Sequence, residues 1–431
     1  MRPFIRLLRE NRNYRYTWLG QIVSEIGDHF NNIAVFSLVL ENTQSGLAVS
    51  GVMLARALAM VLGGPIAGVV LDRFDRKKIM IASDVARMAV ALCFIFMVDA
   101  HHIPVVYLLS GLLMFASPFF TSGRASILPT ITTREELHTA NSLTQATQFT
   151  TLTLGTFSAG LSASQFGFKA AFAVNAASFL VSALLIARLR APGRGFRAAR
   201  KALTESEVVR PWHEYAEGLR YLRATPLLLG ISLLGVGWAS GGGAAQILFT
   251  LFGEVVFKKG AAGIGIIWGC AGIGLIFGAV AGHWLGERLT FVKYKRTIAW
   301  CYVVHGLAYV AFSRMEGFGA ALFFMGLSRF AVAISSVMNY SMLLRHVSDE
   351  FRGRVFSTVE SLVWATMMVS MTLAGFASEY YSPRLIGVWS GVLSSLTAVY
   401  WIWMNAAGRL PEPARVGVAQ DEVEVHGDPR T

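Results

Sequence analysis

Long apolar segments, separated by loops of alternating charge, constrain this chain more than any other feature. Twelve such segments can be drawn, roughly at 16–41, 47–71, 79–99, 104–123, 141–163, 169–187, 227–251, 262–285, 297–313, 317–343, 355–377 and 386–406. Most hold about 20 or more mainly apolar residues, the length a helix needs to cross the hydrocarbon core of a bilayer. Thirty of the 38 Lys and Arg residues fall at the two ends of the chain, in the central loop, or after segments 2, 4, 8 and 10. The opposite loops hold only Lys169, Lys258, Lys259, Arg314 and Arg384. By the positive-inside rule both termini are expected in the cytoplasm. The expected fold class is therefore all-α and integral to a membrane, with twelve transmembrane helices. The three remaining arginines, Arg56, Arg87 and Arg329, fall inside the segments.

Composition agrees: 54% of residues are hydrophobic and 15% charged. The net charge of +12 needs no nucleic acid to explain it. Positive loops facing a cytoplasmic surface lined by anionic lipid account for it. Cys93, Cys270 and Cys301 all lie in apolar segments, which suggests neither a disulfide framework nor a zinc site. The sequence has no P-loop, no Ser-His-Asp ordering and no zinc motif, so neither an enzyme nor a bound cofactor is expected. Residues 1–15 are basic and polar, and the first apolar run is too long and too interrupted for a cleavable signal. The acidic stretch 409–431 reads as a disordered cytoplasmic tail.

The segments divide six and six: a bundle over 1–187, a linker over 188–226 and a second bundle over 227–408. Within the linker, Trp212, Tyr215, Leu219 and Leu222 recur at helical spacing among charges, predicting an amphipathic helix at the membrane surface. Segment 8 is dense in glycine (Gly265, Gly269, Gly274, Gly278 and Gly282 among them), and four-residue steps put small residues on shared faces that admit close helix packing. Two six-helix halves fit a duplicated architecture whose site lies at the midplane between them.

The loop after segment 2 reads Gly68-Val69-Val70-Leu71-Asp72-Arg73-Phe74-Asp75-Arg76-Lys77-Lys78. It resembles the signature loop of the major facilitator superfamily: a glycine, an Asp-Arg pair four residues on, then a basic cluster. Ser24-Glu25-Ile26-Gly27-Asp28, Ile127-Leu128-Pro129, Ala140-Asn141-Ser142-Leu143 and Arg352-Gly353-Arg354-Val355-Phe356 are similar to markers of the enterobactin-exporter and macrolide-efflux branch. The branch differs at one place: its segment-5 motif carries Gly-Pro, where this chain has Leu154-Gly155-Thr156-Phe157. The resemblance implies the major facilitator fold. It also gives the loop a physical role: Gly68 allows close helix approach, while Asp72, Arg73 and Arg76 hold a cytoplasmic gate through helix-dipole and ionic contacts.

Seven ionisable residues fall inside the segments: Glu25, Asp28, Arg56, Asp84, Arg87, Arg329 and Glu360. Each mid-bilayer charge costs at least ~2.5–3.5 kcal/mol on insertion scales, so each needs a partner, water or a function. Asp28 lies roughly 20 Å above Arg15 and Arg56 roughly 14 Å below Leu47 at the helical rise, so the two reach similar depth. Glu25 and Asp28, three residues apart, share a face. A Glu25/Asp28–Arg56 cluster is therefore expected to couple protons to substrate. Arg329, roughly 18 Å deep by the same rise, is expected to meet either an anionic substrate or an acid across the cavity. Asp84 and Arg87 are expected to pair in support of the signature loop, and Glu360 to belong to the same gate. His29, His283 and His305 lack metal-ligand spacing and read as packing residues.

Taken with the resemblance, these residues imply a secondary active transporter. The expected activity is proton-coupled export of a small amphipathic organic molecule, a siderophore or a macrolide-like drug, by a monomer in a bacterial inner membrane. A lysophospholipid transporter acting between leaflets is the alternative, since embedded arginines can meet a phosphate. A non-transporting receptor or assembly factor on the same scaffold is a lesser one.

Overall fold

The computed structural model describes residues 2–97, 102–190, 195–196 and 211–412. Residues 191–194 and 197–210 of the linker and nearly all of the expected tail lie outside these residues. Within them the regular structure is helical throughout. A short α1 (Arg2–Glu10) leads into α2 (Arg12–Thr43), α3 (Gly46–Arg73), α4 (Arg76–Met97), α5 (Ile103–Ile131) and α6 (Arg134–Ala187). The amphipathic linker helix is α7 (Pro211–Ala224). It is followed by α8 (Pro226–Leu251), which runs on into a π turn at Phe252–Val256, then α9 (Gly260–Arg288) and α10 (Phe291–Arg314). The last three are α11 (Phe318–His346), α12 (Asp349–Ala377) and α13 (Pro383–Ala406).

Among the described residues, nine helices are long and apolar enough to cross a membrane. α2 and α10 are long too, but their charged and polar residues make them less apolar. α6 holds 54 residues because two helices meet without a gap at Gly167, whose φ of 76° and ψ of 173° are not helical. Glycine alone takes that conformation readily. The chain folds back there, as contacts to α2 show. Gly155 packs against His29, and Ser178 packs against Gly27. These two partners lie 12 residues before and 11 after Gly167 (167 − 155 and 178 − 167), yet they meet α2 at one level. With α6 read as two arms, the long helices match the twelve apolar segments in order.

Polarity is turned inside out relative to a water-soluble protein. Leu62, Phe96, Phe277, Trp300 and Val399 are exposed, while Gln21, Asn31, Ser37, Asn175 and Ser182 are buried. A bilayer rewards this arrangement, because lipid solvates the apolar surface and cannot hydrogen-bond the polar groups. Pro65, Pro118 and Pro129 sit inside helices without ending them. Helix starts are capped by side chains: Asn11 accepts from the Tyr14 N–H at 2.9 Å and Ser45 from the Ala48 N–H at 3.1 Å. Thr133 and Glu136 form a reciprocal capping box at α6.

Packing groups the chain into two compact units that do not follow the sequence halves. Among the described residues, one unit is drawn from 1–202 with 246–272 and 372–383, the other from 203–245, 273–371 and 384–431. Within the first unit α9 lies tight on α6. A Cβ on Gly265 would meet the Thr156 carbonyl oxygen at 2.5 Å and the Gly160 Cα at 2.8 Å, so small residues are required there. The same unit holds an acid from after α12 at the start of α3: Ser45 Oγ donates to Glu379 Oε1 at 2.6 Å and the Leu47 N–H to the same oxygen at 3.3 Å. Within the second unit, α7 is anchored by Arg354 to Glu217 at 2.9 Å and by Tyr221 stacked on Phe351 at 5.0 Å.

Candidate functional site

In the first unit the buried charges converge on Arg87. This residue is 1% exposed on α4. It donates to Asp84, one helical turn earlier, through a short hydrogen bond. A second guanidinium nitrogen lies 4.0 Å from Asp28 Oδ2 on α2. The cation is sandwiched by aromatic rings, with Phe179 at 4.4 Å and Phe120 at 4.9 Å from ring centroid. Arg56, on α3, hydrogen-bonds Asn32 and lies 5.8 Å from the Phe36 ring. The electrostatic neighbours of Asp28 are Arg87 and Arg56, with Glu25 and Asp84 as like charges. Asp28 Oδ1 has no hydrogen-bond partner, and the side chain keeps 22% of its surface exposed.

This arrangement regroups the residues singled out in the sequence. Arg87 and Asp84, expected beside the signature loop, sit with Asp28; Arg87 is eleven residues into α4, roughly 16 Å from Arg76 along the helix. Glu25, expected with Arg56, instead accepts from Gln21 at 2.8 Å and from Thr151 on α6 at 2.6 Å. The signature loop itself is braced by its basic residues. Arg76 donates to the Ser126 carbonyl at 2.8 Å, and Lys77 to the carbonyls of Ala187 and Leu189 at 2.7 and 2.9 Å. Cations on these terminal carbonyls suit the negative ends of α5 and α6. Asp72 and Arg73 are exposed, as is Glu360 on α12 in the second unit. Gly68 is not a close-packing position, since a Cβ there would meet nothing within 4 Å.

Arg329 lies in the second unit and is 6% exposed. It lines a narrow cleft with Gly241, Gly242 and Ala245 of α8, His305 and Tyr309 of α10, and Ser390 and Ser394 of α13. Its guanidinium is 5.8 Å from the Tyr309 ring centroid. His305 Nδ1 is 2.7 Å from Ser328 Oγ and 3.3 Å from the Ser328 carbonyl. His305 Nε2 and the Tyr309 hydroxyl are buried with no hydrogen-bond partner. The sequence marks His305 only as a packing residue and does not single out Tyr309. The available signal was their i, i+4 spacing, which puts both on one face of α10.

Among the described residues, nine membrane-length apolar helices, polar residues turned inward and charges clustered deep within define a multi-pass membrane protein. The sequence pattern of the Major Facilitator Superfamily matches residues 17–340, and the chain belongs to that family. It is 24% identical over 400 residues to Macrolide efflux protein A of Streptococcus pyogenes, covering 91% of this chain and 96% of the relative. It is 27% identical over 363 residues to Multidrug efflux pump Tap of Mycolicibacterium fortuitum, covering 81% and 85%. An uncharacterized MFS-type transporter of Bacillus subtilis matches at 28% over 224 residues, about half of each chain. In fold it is similar to a bacterial homologue of the iron transporter ferroportin in an inward-facing state, with a TM-score of 0.68 at 15% identity over 90% of this chain and 98% of that one.

Proposed function

We propose that this protein is a proton-coupled exporter of an amphipathic organic molecule, working by alternating access in a bacterial inner membrane with both termini in the cytoplasm. The relatives named for macrolide and multidrug efflux support a drug-like cargo over a siderophore. The observation that carries the coupling is Asp28. Its carboxylate lies 4.0 Å from the buried Arg87 and within electrostatic reach of the buried Arg56, yet one oxygen is left without a hydrogen bond. Protonation removes a negative charge from that position and alters the balance holding α2, α3 and α4 together. Access from one face and then the other turns this into a proton carried per cycle. Glu25 supports the site from one turn away, Arg56 and Arg87 set its charge, and Asp72, Arg73, Arg76 and Glu360 are assigned to the cytoplasmic gate.

Asp28→Asn fixes the neutral form. In proteoliposomes with an imposed pH gradient, this variant is expected to bind a macrolide and exchange it passively, but not to concentrate it. Accumulation at the wild-type level would remove Asp28 from the mechanism.

A further inference from the structure

The cleft around Arg329 holds more polar chemistry than packing requires. Three side chains converge on it from two helices: the Arg329 guanidinium on α11, and His305 and Tyr309 on α10. His305 and Tyr309 are each 2% exposed, and each presents a polar atom with no hydrogen-bond partner among the described residues. Buried polar atoms without partners are uncommon and call for an explanation. The remaining lining is Gly241, Gly242, Ala245, Ser390 and Ser394. Both serines spend their hydroxyl protons on backbone carbonyls of their own helix, Ile386 at 2.8 Å and Gly391 at 3.0 Å.

We infer that this cleft is a subsite for the carboxylate of an acidic amphipathic cargo, which rests on the reading of the protein as an exporter and narrows its substrate class. The groups fit an anion as donors. A guanidinium is always charged and offers paired N–H groups in the geometry of a carboxylate. The Tyr309 hydroxyl donates. His305 also donates from Nε2 when Ser328 Oγ–H donates to Nδ1, an arrangement that the 2.7 Å contact allows. No carboxylate is among the lining residues. The cleft as it stands is too narrow to admit a water molecule. Only the charged end of a ligand enters such a space, and only when α8, α10, α11 and α13 part slightly. The apolar body of the cargo stays outside the slit.

The test uses two fluorescent probes that differ only at the acid, dansyl-phenylalanine and dansyl-phenylalaninamide. Binding to the purified full chain in detergent is measured by equilibrium dialysis. Wild-type protein is expected to prefer the acid by about tenfold, the scale of one charge-assisted hydrogen-bond set. Arg329→Gln should erase that preference and leave amide binding unchanged. Arg329→Lys should keep part of it, because the charge remains and the planar fork is lost. Tyr309→Phe should weaken the acid alone. Equal wild-type affinity for both probes, or equal losses for both in Arg329→Gln, overturns the inference. If Arg329→Gln does not purify as a folded protein, Tyr309→Phe decides by the same criterion. No gradient is involved, so failure of the export reading is separable: a protein that prefers the acid but moves nothing refutes export alone. One that exports neutral macrolides without acid preference refutes only the subsite.

Discussion

Two buried arginines in this protein are housed in contrasting ways. Around Arg87 the first unit supplies Asp84 and Asp28 as carboxylates and the faces of Phe120 and Phe179. Around Arg329 the cleft of the second unit supplies a phenol, an imidazole, two serines and bare backbone. The first is an internally balanced charge network, with a single carboxylate, Asp28, left partly open. The second gathers donors toward a space. Buried ion pairs lose heavily when one partner is removed, whereas a neutral donor without a partner loses little. On the reading proposed above, proton handling belongs to the first region and recognition of cargo to the second, and the contrast makes graded predictions.

The largest effect is expected at Arg87. Arg87→Met strands Asp84, which is fully buried, and takes a cation from Asp28. Loss of about 3–5 kcal/mol of stability is expected, the usual cost of breaking a buried pair from one side. Thermal unfolding in detergent reads it as a strongly lowered midpoint. Adding Asp84→Asn should restore much of the loss, since the stranded charge goes with it. If the single variant unfolds near the wild-type midpoint, the network is not balanced in the way described.

Arg56 should be intermediate. Its guanidinium donates to the neutral Asn32 and stacks near Phe36, so Arg56→Gln removes one hydrogen bond to a charged group and some packing. A loss of about 1.5–3 kcal/mol is expected. A loss as large as that of Arg87→Met would mean that Arg56 shares the Asp28 charge more fully than its geometry indicates.

Much of this was legible from the chain itself. The apolar segments fixed the helices because a bilayer demands a minimum run of apolar residues, and the break between segments 5 and 6 falls where Gly167 turns the chain. The arginines stood out because charges in apolar segments are expensive. Their partners did not. Asp28 and Arg87 are 59 residues apart (87 − 28), and depth along a helix does not say which way a side chain points around it. Depth reasoning therefore matched Asp28 with Arg56 and left Arg87 to the signature loop. Glu25 faces α6, where Thr151 holds it, for the same reason. Glu254 also escaped notice. It sits in the π turn after α8, close to Ser37 on α2, and a π turn has no distinctive pattern in sequence. Tyr309 was invisible because an aromatic residue at helical spacing reads as core until its hydroxyl is seen to lack a partner.

The smallest effect is expected at Tyr309, and it sharpens the contrast most. The Tyr309 ring packs between His305 and Phe312, with centroids at 6.3 and 5.7 Å, while its hydroxyl bonds to nothing among the described residues. Phenylalanine keeps the ring and its contacts and removes only the unsatisfied oxygen. Taking away a buried polar atom that has no partner is close to neutral, or stabilising by up to about 1 kcal/mol. Tyr309→Phe should therefore unfold at or slightly above the wild-type midpoint while losing acid-selective binding. Stability and recognition would then move in opposite directions at one atom, the behaviour expected of a group kept for a ligand rather than for the fold. A clear drop in the unfolding midpoint would show that the hydroxyl serves the fold, and would place Tyr309 with the structural side chains of the second unit.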